Sequence, residues 1–417
     1  MVVVGRNIGW LAGGDLAVKA GLFACGVIVA RGFGPAVMGL FTVAFGAALV
    51  LMLALAAGQP EVLIREVAKQ PASGRALGRL AASWQRRLAL VVVPVAVAAA
   101  LPVPVAELRW TLLAFLPYAW LRCRIATIGA VFKGLDRMEV EVLARTAEVT
   151  IALCLLALAT LLRGPSWLVG VAFGVGGLVG LLIAARKRRC LPDVPATVTR
   201  RWLAREGLGF LGLGLAGQLL AQVDSFALAS LGFAAAQIGY YGVARTPALG
   251  LLTGIVMVAV ALYPTLSRHA ATARLTPTRV LALGFAGMGI GGVLGAGLFV
   301  VREPLVRLVF GNQYEPALPL LAVLVWLLPA AGTTVLLGVA VAALGRQTWA
   351  LAWQVAAVLL AVGAYLVVVP RHGLSGCAWV TVAMQWLGVA VVLPLALFAA
   401  SQPEIGAATP PPRERQW

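Results

Sequence analysis

Twelve blocks of apolar residues, each long enough to cross a lipid bilayer, follow one another along this chain. A membrane-spanning α-helix needs about 20 such residues. Inside the bilayer every backbone N–H and C=O must be paired within the protein, and a helix does this within one segment. The sequence therefore predicts an all-α integral membrane protein with twelve transmembrane helices. The predicted helices cover residues 8–30, 36–58, 88–106, 110–131, 146–162, 167–184, 207–231, 240–264, 280–301, 317–342, 349–369 and 375–400.

The charged residues predict the orientation of these helices. Only 12% of the residues are charged and 61% are hydrophobic, whereas a soluble domain has about 25% charged residues. The basic residues stand in short runs between the apolar blocks, mainly in alternate loops. Because cytoplasmic loops carry an excess of Lys and Arg, we expect both termini in the cytoplasm. The net charge of +18 is thus interpreted as a topology signal, and no nucleic-acid partner is expected.

An internal repeat divides the chain into two halves. The stretch Gly32–Phe41 recurs as Gly232–Tyr241, between the first and second helix of each half. Six helices per half make the repeats parallel, related by an axis along the membrane normal. We therefore predict an N-terminal lobe (1–184), a basic cytoplasmic linker (185–206), a C-terminal lobe (207–400) and a cytoplasmic tail (401–417).

The sequence offers no pattern typical of an enzyme or a metalloprotein. The five cysteines are scattered without a Cys-x-x-Cys pair, and the two histidines fall in separate loops. The longest predicted outer loop, 302–316, is too short for a catalytic domain. We expect no catalytic activity, no metal site and no bound cofactor.

Charged side chains within the predicted helices are the candidates for function. A charge at the bilayer centre costs about 2.5–3.5 kcal/mol, so it must be paired or face water. Asp15 and Lys19 are four residues apart, in the order that favours a helical ion pair. They could form a self-neutralised pair that lines the lumen. Alternatively, Lys19 binds phosphate and Asp15 takes up a proton as the cavity reorients.

Three further acids are candidates for ion coupling or gating. Asp224 and Arg245 lie about 10 Å below the predicted outer surface, where we expect a structural salt bridge, with an outer gate as the functional alternative. Glu61, at the inner end of helix 2, and Glu148, at the start of helix 5, are candidate protonation sites. A solvated helix end is the simpler interpretation of both.

Arg122 and Arg124 in helix 4 are the candidates for binding phosphate. They lie about 200° apart on the helix, so we expect one to face the lumen and the other to pack against a neighbour or reach the cytoplasmic face. A guanidinium matches phosphate oxygens bidentately. Together with Lys19 and Arg245 they outnumber the buried acids, which predicts a cationic cavity suited to a pyrophosphate.

The chain resembles the polysaccharide and O-antigen flippases of the MATE-like multidrug/oligosaccharidyl-lipid/polysaccharide exporter superfamily. The resemblance covers nearly the whole chain and implies two six-helix lobes around a central cavity that opens alternately to each face of the bacterial cytoplasmic membrane. The segments that carry it are Asn7, Ala30–Pro35, Gly39–Phe41, Ile64–Ala68, Asp224, Gly239–Arg245, Tyr263–Ser267, Leu308–Tyr314 and Pro370–Gly376.

This resemblance implies a substrate and partners. The substrate would be an undecaprenyl-pyrophosphate-linked oligosaccharide, moved outward for surface polysaccharide biosynthesis while its polyprenyl tail stays in lipid. Membrane lipids and other polysaccharide-assembly membrane proteins are the expected partners. The sequence leaves open whether transport is coupled to H⁺ or Na⁺.

Two other functions are weighed against a flippase. A cation-coupled multidrug antiporter of the same fold would need clustered membrane carboxylates, and the charge balance here is basic. A membrane-embedded glycosyltransferase or polymerase would need acidic catalytic residues in sizeable outer loops. A lipid II flippase of the same superfamily would resemble a chain of fourteen helices.

Overall fold

The computed structural model describes residues 2–196, 198–271, 275–344 and 347–401, which are helical almost throughout and contain no β-strand. The predicted tail lies outside the described residues from 402 onward. A π-helical turn (Val306–Phe310) and a 3₁₀ segment (Asn312–Ala317) link α10 to α11. The helices are α1 (Val2–Ala56), α2 (Gln59–Lys69), α3 (Gly74–Ala100), α4 (Ala106–Gly134), α5 (Glu139–Leu161), α6 (Leu168–Arg189), α7 (Arg200–Leu220), α8 (Val223–Ser230), α9 (Ala235–Ala271), α10 (Pro277–Leu305), α11 (Leu318–Leu324), α12 (Leu327–Ala343) and α13 (Gln347–Ser401).

These helices provide the twelve predicted spans. Within the described residues, seven helices are long and apolar enough to cross a membrane, and two bent pairs, α7 with α8 (57°) and α11 with α12 (49°), raise the number to nine. The 55-residue helices α1 and α13 each break into two arms, at Gly34 (φ 84°) and Gly373 (φ 60°). The 29-residue α4 is long enough to provide the remaining span. The all-α, twelve-span prediction is confirmed.

Three predicted helix starts are wrong by seven residues or more. Helices 3, 5 and 7 were expected from residues 88, 146 and 207, but α3 begins at Gly74, α5 at Glu139 and α7 at Arg200. The extra turns carry charged residues such as Arg79 and Glu141. Hydropathy detects only the apolar part of a helix, so the pattern did not reveal that the helix begins earlier. The short helix α2 was also not predicted, since it is amphipathic and buries one face, including Leu63 and Val67.

The internal repeat is visible as a reciprocal contact between two glycines. Gly39, in the second arm of α1 (residues 34–56), lies so close to α9 that a Cβ would overlap the carbonyl oxygen of Ala235. Gly239 lies against α1 in the same way, where a Cβ would overlap the oxygen of Pro35. Small residues allow two helix backbones to approach this closely. Each member of the contact has its counterpart 200 residues away, as parallel repeats require.

An aromatic cluster forms the core between α1, α4 and α6. Phe41, Phe45, Phe115, Tyr118 and Phe173 pack with ring centroids 5.3–6.2 Å apart. Such contacts stabilise beyond the burial of area alone, by about 0.5–1.5 kcal/mol each. The cluster fixes α4 in rotation, and with it the charged residues that follow Tyr118 on that helix.

The helices assemble into two compact units. Of the described residues, one unit contains those within Met1–Thr246, Glu303–Leu320 and Val358–Cys377, and the other contains those within Pro247–Arg302 and Leu321–Ala357 and from Ala378 to Ser401. In the second unit, α10 and α12 approach through Gly287 and Gly332. Its apolar core includes Val280, Leu337 and Ala396. All the predicted site residues belong to the first unit, and the lobe boundaries given above stay a prediction.

Candidate functional site

Three of the four predicted cavity bases are each paired with one of the predicted acids. Lys19 Nζ lies 2.5 Å from Asp15 Oδ2, and Arg122 Nε lies 3.6 Å from Glu148 Oε1. Arg245 Nε lies 3.0 Å from Asp224 Oδ2. Arg124, the fourth base, takes part in no ion pair within the described residues.

A charge network joins α1, α4 and α5. Asp15 forms a second ion pair, with Arg145, whose Nη1 lies 3.3 Å from Asp15 Oδ1. Arg145 was assigned to a loop because helix 5 was predicted to begin at residue 146. With the true start at Glu139, Arg145 and Glu148 lie three residues apart within one helix, which is the sequence signal that was missed.

The interpretation of Glu148 as a solvated helix end is wrong. Its side chain is 2% exposed because it lies near the middle of α5, against α4. The Tyr118 hydroxyl donates a hydrogen bond to its Oε1 at 3.1 Å. The network is incomplete, however: Arg122 Nη1, Arg145 Nε and Glu148 Oε2 are buried without a hydrogen-bond partner among the described residues. Orphaned polar atoms in a buried site are costly, so this network is less well satisfied than its ion pairs alone suggest.

The Asp224–Arg245 pair is tighter and better satisfied. Its side chains are only 3% and 9% exposed. The Tyr241 hydroxyl donates to Asp224 Oδ2 at 2.9 Å, and the Ser225 backbone N–H donates to Oδ1 at 2.7 Å. Arg245 also donates to the carbonyl oxygen of Ala221. The expected salt bridge is present, and its dense hydrogen bonding is typical of a structural pair.

Arg124 has polar and aromatic neighbours instead of an acid. Its Nη1 donates to Gln85 Oε1 at 2.8 Å, and its guanidinium carbon lies 5.9 Å from the centre of the Trp120 ring. Gln85 is held in turn by Thr127, with 2.7 Å between Nε2 and Oγ1. A fixed, partly buried guanidinium without a carboxylate is suited to bind an anion.

Glu61 is separated from these groups. It lies exposed in the first turn of α2 and forms none of the ion pairs described above. No cluster of three or more His, Cys, Asp or Glu side chains able to hold a metal occurs in the described part of the chain.

The predicted linker is tied to α2 and α3 by exposed ion pairs. The two terminal guanidinium nitrogens of Arg79, Nη1 and Nη2, donate to the Asp193 carboxylate at 2.5 Å, and Arg65 contacts Glu206 at 2.9 Å. The hydrogen bonds from Arg79 lower the pKa of Asp193 below its ordinary value. Asp193 therefore stays ionised, and the pair stays formed, down to a pH below the usual range of an aspartate.

Comparison with known sequences identifies one matching family. The sequence model of the family described as polysaccharide biosynthesis protein matches residues 4–270. No curated protein matches the chain.

Several solved structures share the fold at low sequence identity. An inward-facing MATE-family multidrug resistance transporter of the MOP superfamily is 17% identical, with a TM-score of 0.72 over 93% of this chain and 94% of that one. The lipid II flippase MurJ, in an inward closed conformation, is 14% identical, with a TM-score of 0.73 over 93% and 87%. A MOP superfamily transporter from Pyrococcus furiosus, described as having a binding pocket of reversed polarity, is 17% identical, with a TM-score of 0.66 over 95% and 96%.

Proposed function

Because the chain belongs to the polysaccharide biosynthesis protein family, we propose that it is a flippase rather than an enzyme. It would move a polyprenyl-pyrophosphate-linked oligosaccharide outward across the bacterial cytoplasmic membrane by alternating access. Its parts would be the lobes 1–184 and 207–400 with the cytoplasmic linker 185–206 between them. Both termini would lie in the cytoplasm, and other polysaccharide-assembly membrane proteins would act beside it.

The unpaired cation Arg124 is the observation that carries this proposal. Asp15, Glu148 and Asp224 pair with Lys19, Arg122 and Arg245, so Arg124 is the one of the four predicted bases that has no acidic partner in the described residues. A guanidinium held by Gln85 offers its remaining N–H groups in a fixed geometry. A phosphate or pyrophosphate head matches that geometry and charge.

The paired bases would bind substrate only after their acids release them. Lys19 shares Asp15 with Arg145, so this carboxylate serves two cations. Protonation of Asp15 or Glu148 would free cationic groups toward the anionic head. Asp224 and Arg245 would hold the fold at the predicted outer gate, with Glu61 outside the transport cycle.

A cation-coupled multidrug antiporter is less well supported. A cationic drug needs a carboxylate that is free to receive it. In the described residues, the half-buried Asp15 and the buried Glu148 and Asp224 are all neutralised by bases. The charge that remains unpaired is positive, which favours an anionic substrate.

Replacing Arg124 with Ala should reduce export of polysaccharide in a host that lacks its own flippase. Charge-assisted hydrogen bonds contribute about 1.5–3 kcal/mol, so we expect a loss of about ten- to a hundredfold in the initial rate. Membrane insertion should be unchanged, since no acid is left without a partner. Arg87→Ala, which removes an exposed cation of α3, is the matched control. Full export by Arg124→Ala would overturn the phosphate assignment.

Replacing Glu148 with Gln should remove the response of transport to a pH gradient. The substitution preserves the shape of the side chain but fixes it in an uncharged form, so protonation can no longer release Arg122. We expect transport by the unaltered protein, but not by Glu148→Gln, to change when an inside-acid or inside-alkaline gradient is imposed on proteoliposomes. Glu139→Gln, in the same helix but more exposed, should behave as the unaltered protein. Equal responses from both variants would exclude Glu148 as the coupling group.

A further inference from the structure

A cavity of about 350 Å³ lies between α1, α3, α4 and α8 in the first unit. All thirteen residues that line it are apolar, and seven of them are alanines. The cavity is half open to its surroundings, since Ala99, one of its lining residues, is exposed. This volume is more than twice that of an apolar cavity of about 150 Å³, which stays dry and binds benzene.

The sequence keeps this space open with small side chains. Ala47 and Ala48 face it from the second arm of α1, and Ala96 and Ala99 face it from α3. A leucine at any of these positions would fill part of it. The lining offers no polar group for a sugar or a phosphate, so its occupant must be a hydrocarbon.

Apolar residues along one side of α4 connect the cavity with Arg124, and we call this stretch the path. Leu112 and Leu116 of α4 line the cavity, and Trp120 and Arg124 follow at the same four-residue spacing, which keeps them near one side of the helix. Leu51 belongs both to the cavity lining and to the apolar cluster that contains Trp120. Eight residues of helix separate Leu116 from Arg124, a rise of about 12 Å.

The charges at the other end of this path select an anionic head. Arg124 has no acidic partner in the described residues, and its charged neighbours include the cations Arg86 and Arg188. Three bases favour a phosphate monoester or pyrophosphate over the single charge of a phosphodiester lipid.

We propose that the path from Arg124 to the alanine-lined cavity holds the first isoprene units of the lipid carrier, with its phosphate at Arg124. This deepens the function proposed above and rests on it. The tail would then be held partly by protein near the head, in place of the sequence-based expectation that it stays wholly in lipid. The cavity has room for roughly two five-carbon units, judged from the volume that benzene occupies.

Binding of radiolabelled undecaprenyl phosphate to the full chain in detergent tests this site. Ala47→Leu and Ala96→Leu fill the cavity from two helices, and we expect each to weaken binding at least about tenfold, because the loss of even two buried methylene groups has that effect. Ala98→Leu, exposed on the same helix as Ala96, is the matched control and should bind as the unaltered protein. Unchanged binding in both filled variants would overturn the proposal.

Other outcomes of the same binding experiment separate this inference from the proposed function. If Ala47→Leu and Ala96→Leu lose binding while Arg124→Ala binds fully, the role of the cavity is supported and the phosphate contact at Arg124 is rejected. If only Arg124→Ala loses binding, the phosphate contact at Arg124 is supported and the role of the cavity is rejected. If dipalmitoyl phosphatidic acid competes as well as unlabelled undecaprenyl phosphate, the site binds lipid phosphates in general and the isoprenoid assignment is overturned.

A second measurement does not depend on the folding of any variant. A polyprenyl phosphate with a diazirine on its second isoprene unit is photolysed with the unaltered protein, and the labelled peptides are identified by mass spectrometry. We expect labels in α1 (44–54), α3 (96–100) and α4 (112–116). Labels confined to other helices would contradict the assignment.

Discussion

Replacing Asp224 with Ala is expected to destabilise the protein by about 3–5 kcal/mol, because removal of one partner leaves a buried charge uncompensated. Arg245 is only 9% exposed, and its hydrogen bond to the carbonyl oxygen of Ala221 would not replace the lost carboxylate. The Tyr241 hydroxyl would also lose the hydrogen bond that it donates to Asp224. Unfolding of the purified protein by a denaturing detergent, followed by circular dichroism, measures the loss.

Two controls separate the buried pair from a general effect of mutation. The double variant Asp224→Leu with Arg245→Met should recover most of the stability, because apolar residues of similar volume often replace a buried pair at little cost. Glu206→Ala breaks an exposed pair with Arg65 and should cost about 0–1 kcal/mol. A loss below about 1 kcal/mol for Asp224→Ala would show that the pair is not structural.

Replacing Gly39 with Ala is expected to cause the second-largest loss of stability. A Cβ at this position overlaps the backbone of α9 at Ala235, and backbone cannot move aside as a flexible side chain can. The second arm of α1 and α9 must separate, at a cost of about 1–3 kcal/mol or more by analogy with overpacked cores. Thermal unfolding should show the loss, together with slower transport.

The repeat supplies an internal check on this prediction. Gly239→Ala should resemble Gly39→Ala, since the two glycines make equivalent contacts with Ala235 and Pro35. The double variant should cost less than the sum of the single ones, because a separation forced by one Cβ makes room for the other. Gly26→Ala, where a Cβ meets nothing within 4 Å, is the matched control. Equal stability of all three single variants would show that the helices do not cross this closely.

Hydropathy predicts the spans of this protein well and the ends of its helices poorly. The twelve apolar blocks and the repeat are strong signals, because lipid excludes unpaired backbone and charge. The amphipathic helix α2 and the first turns of α3 and α5 lie outside those blocks. Their positions depend on packing, as when Val67 of α2 is buried against α4, which a single-sequence pattern does not encode.

The helix ends also decided how much of the site could be predicted. Asp15 with Lys19 and Asp224 with Arg245 follow from spacing and depth, and both pairs are present. The contact of Glu148 with Arg122, and the role of Arg145, depend on where α5 starts and which side of it faces α4. The alanine-lined cavity cannot be read from spacing at all, because it forms from four helices that are distant in sequence.

Movement of the substrate between leaflets tests the proposed role of Arg124 most directly. Proteoliposomes would carry a fluorescent oligosaccharide on undecaprenyl pyrophosphate, and a membrane-impermeant reductant would quench the label exposed on one face. We expect the unaltered protein to move the label across the bilayer, Arg87→Ala to match it, and Arg124→Ala to be about ten- to a hundredfold slower. Equal rates for Arg124→Ala and the unaltered protein, or no movement above protein-free vesicles, would contradict a flippase that recognises phosphate through this arginine.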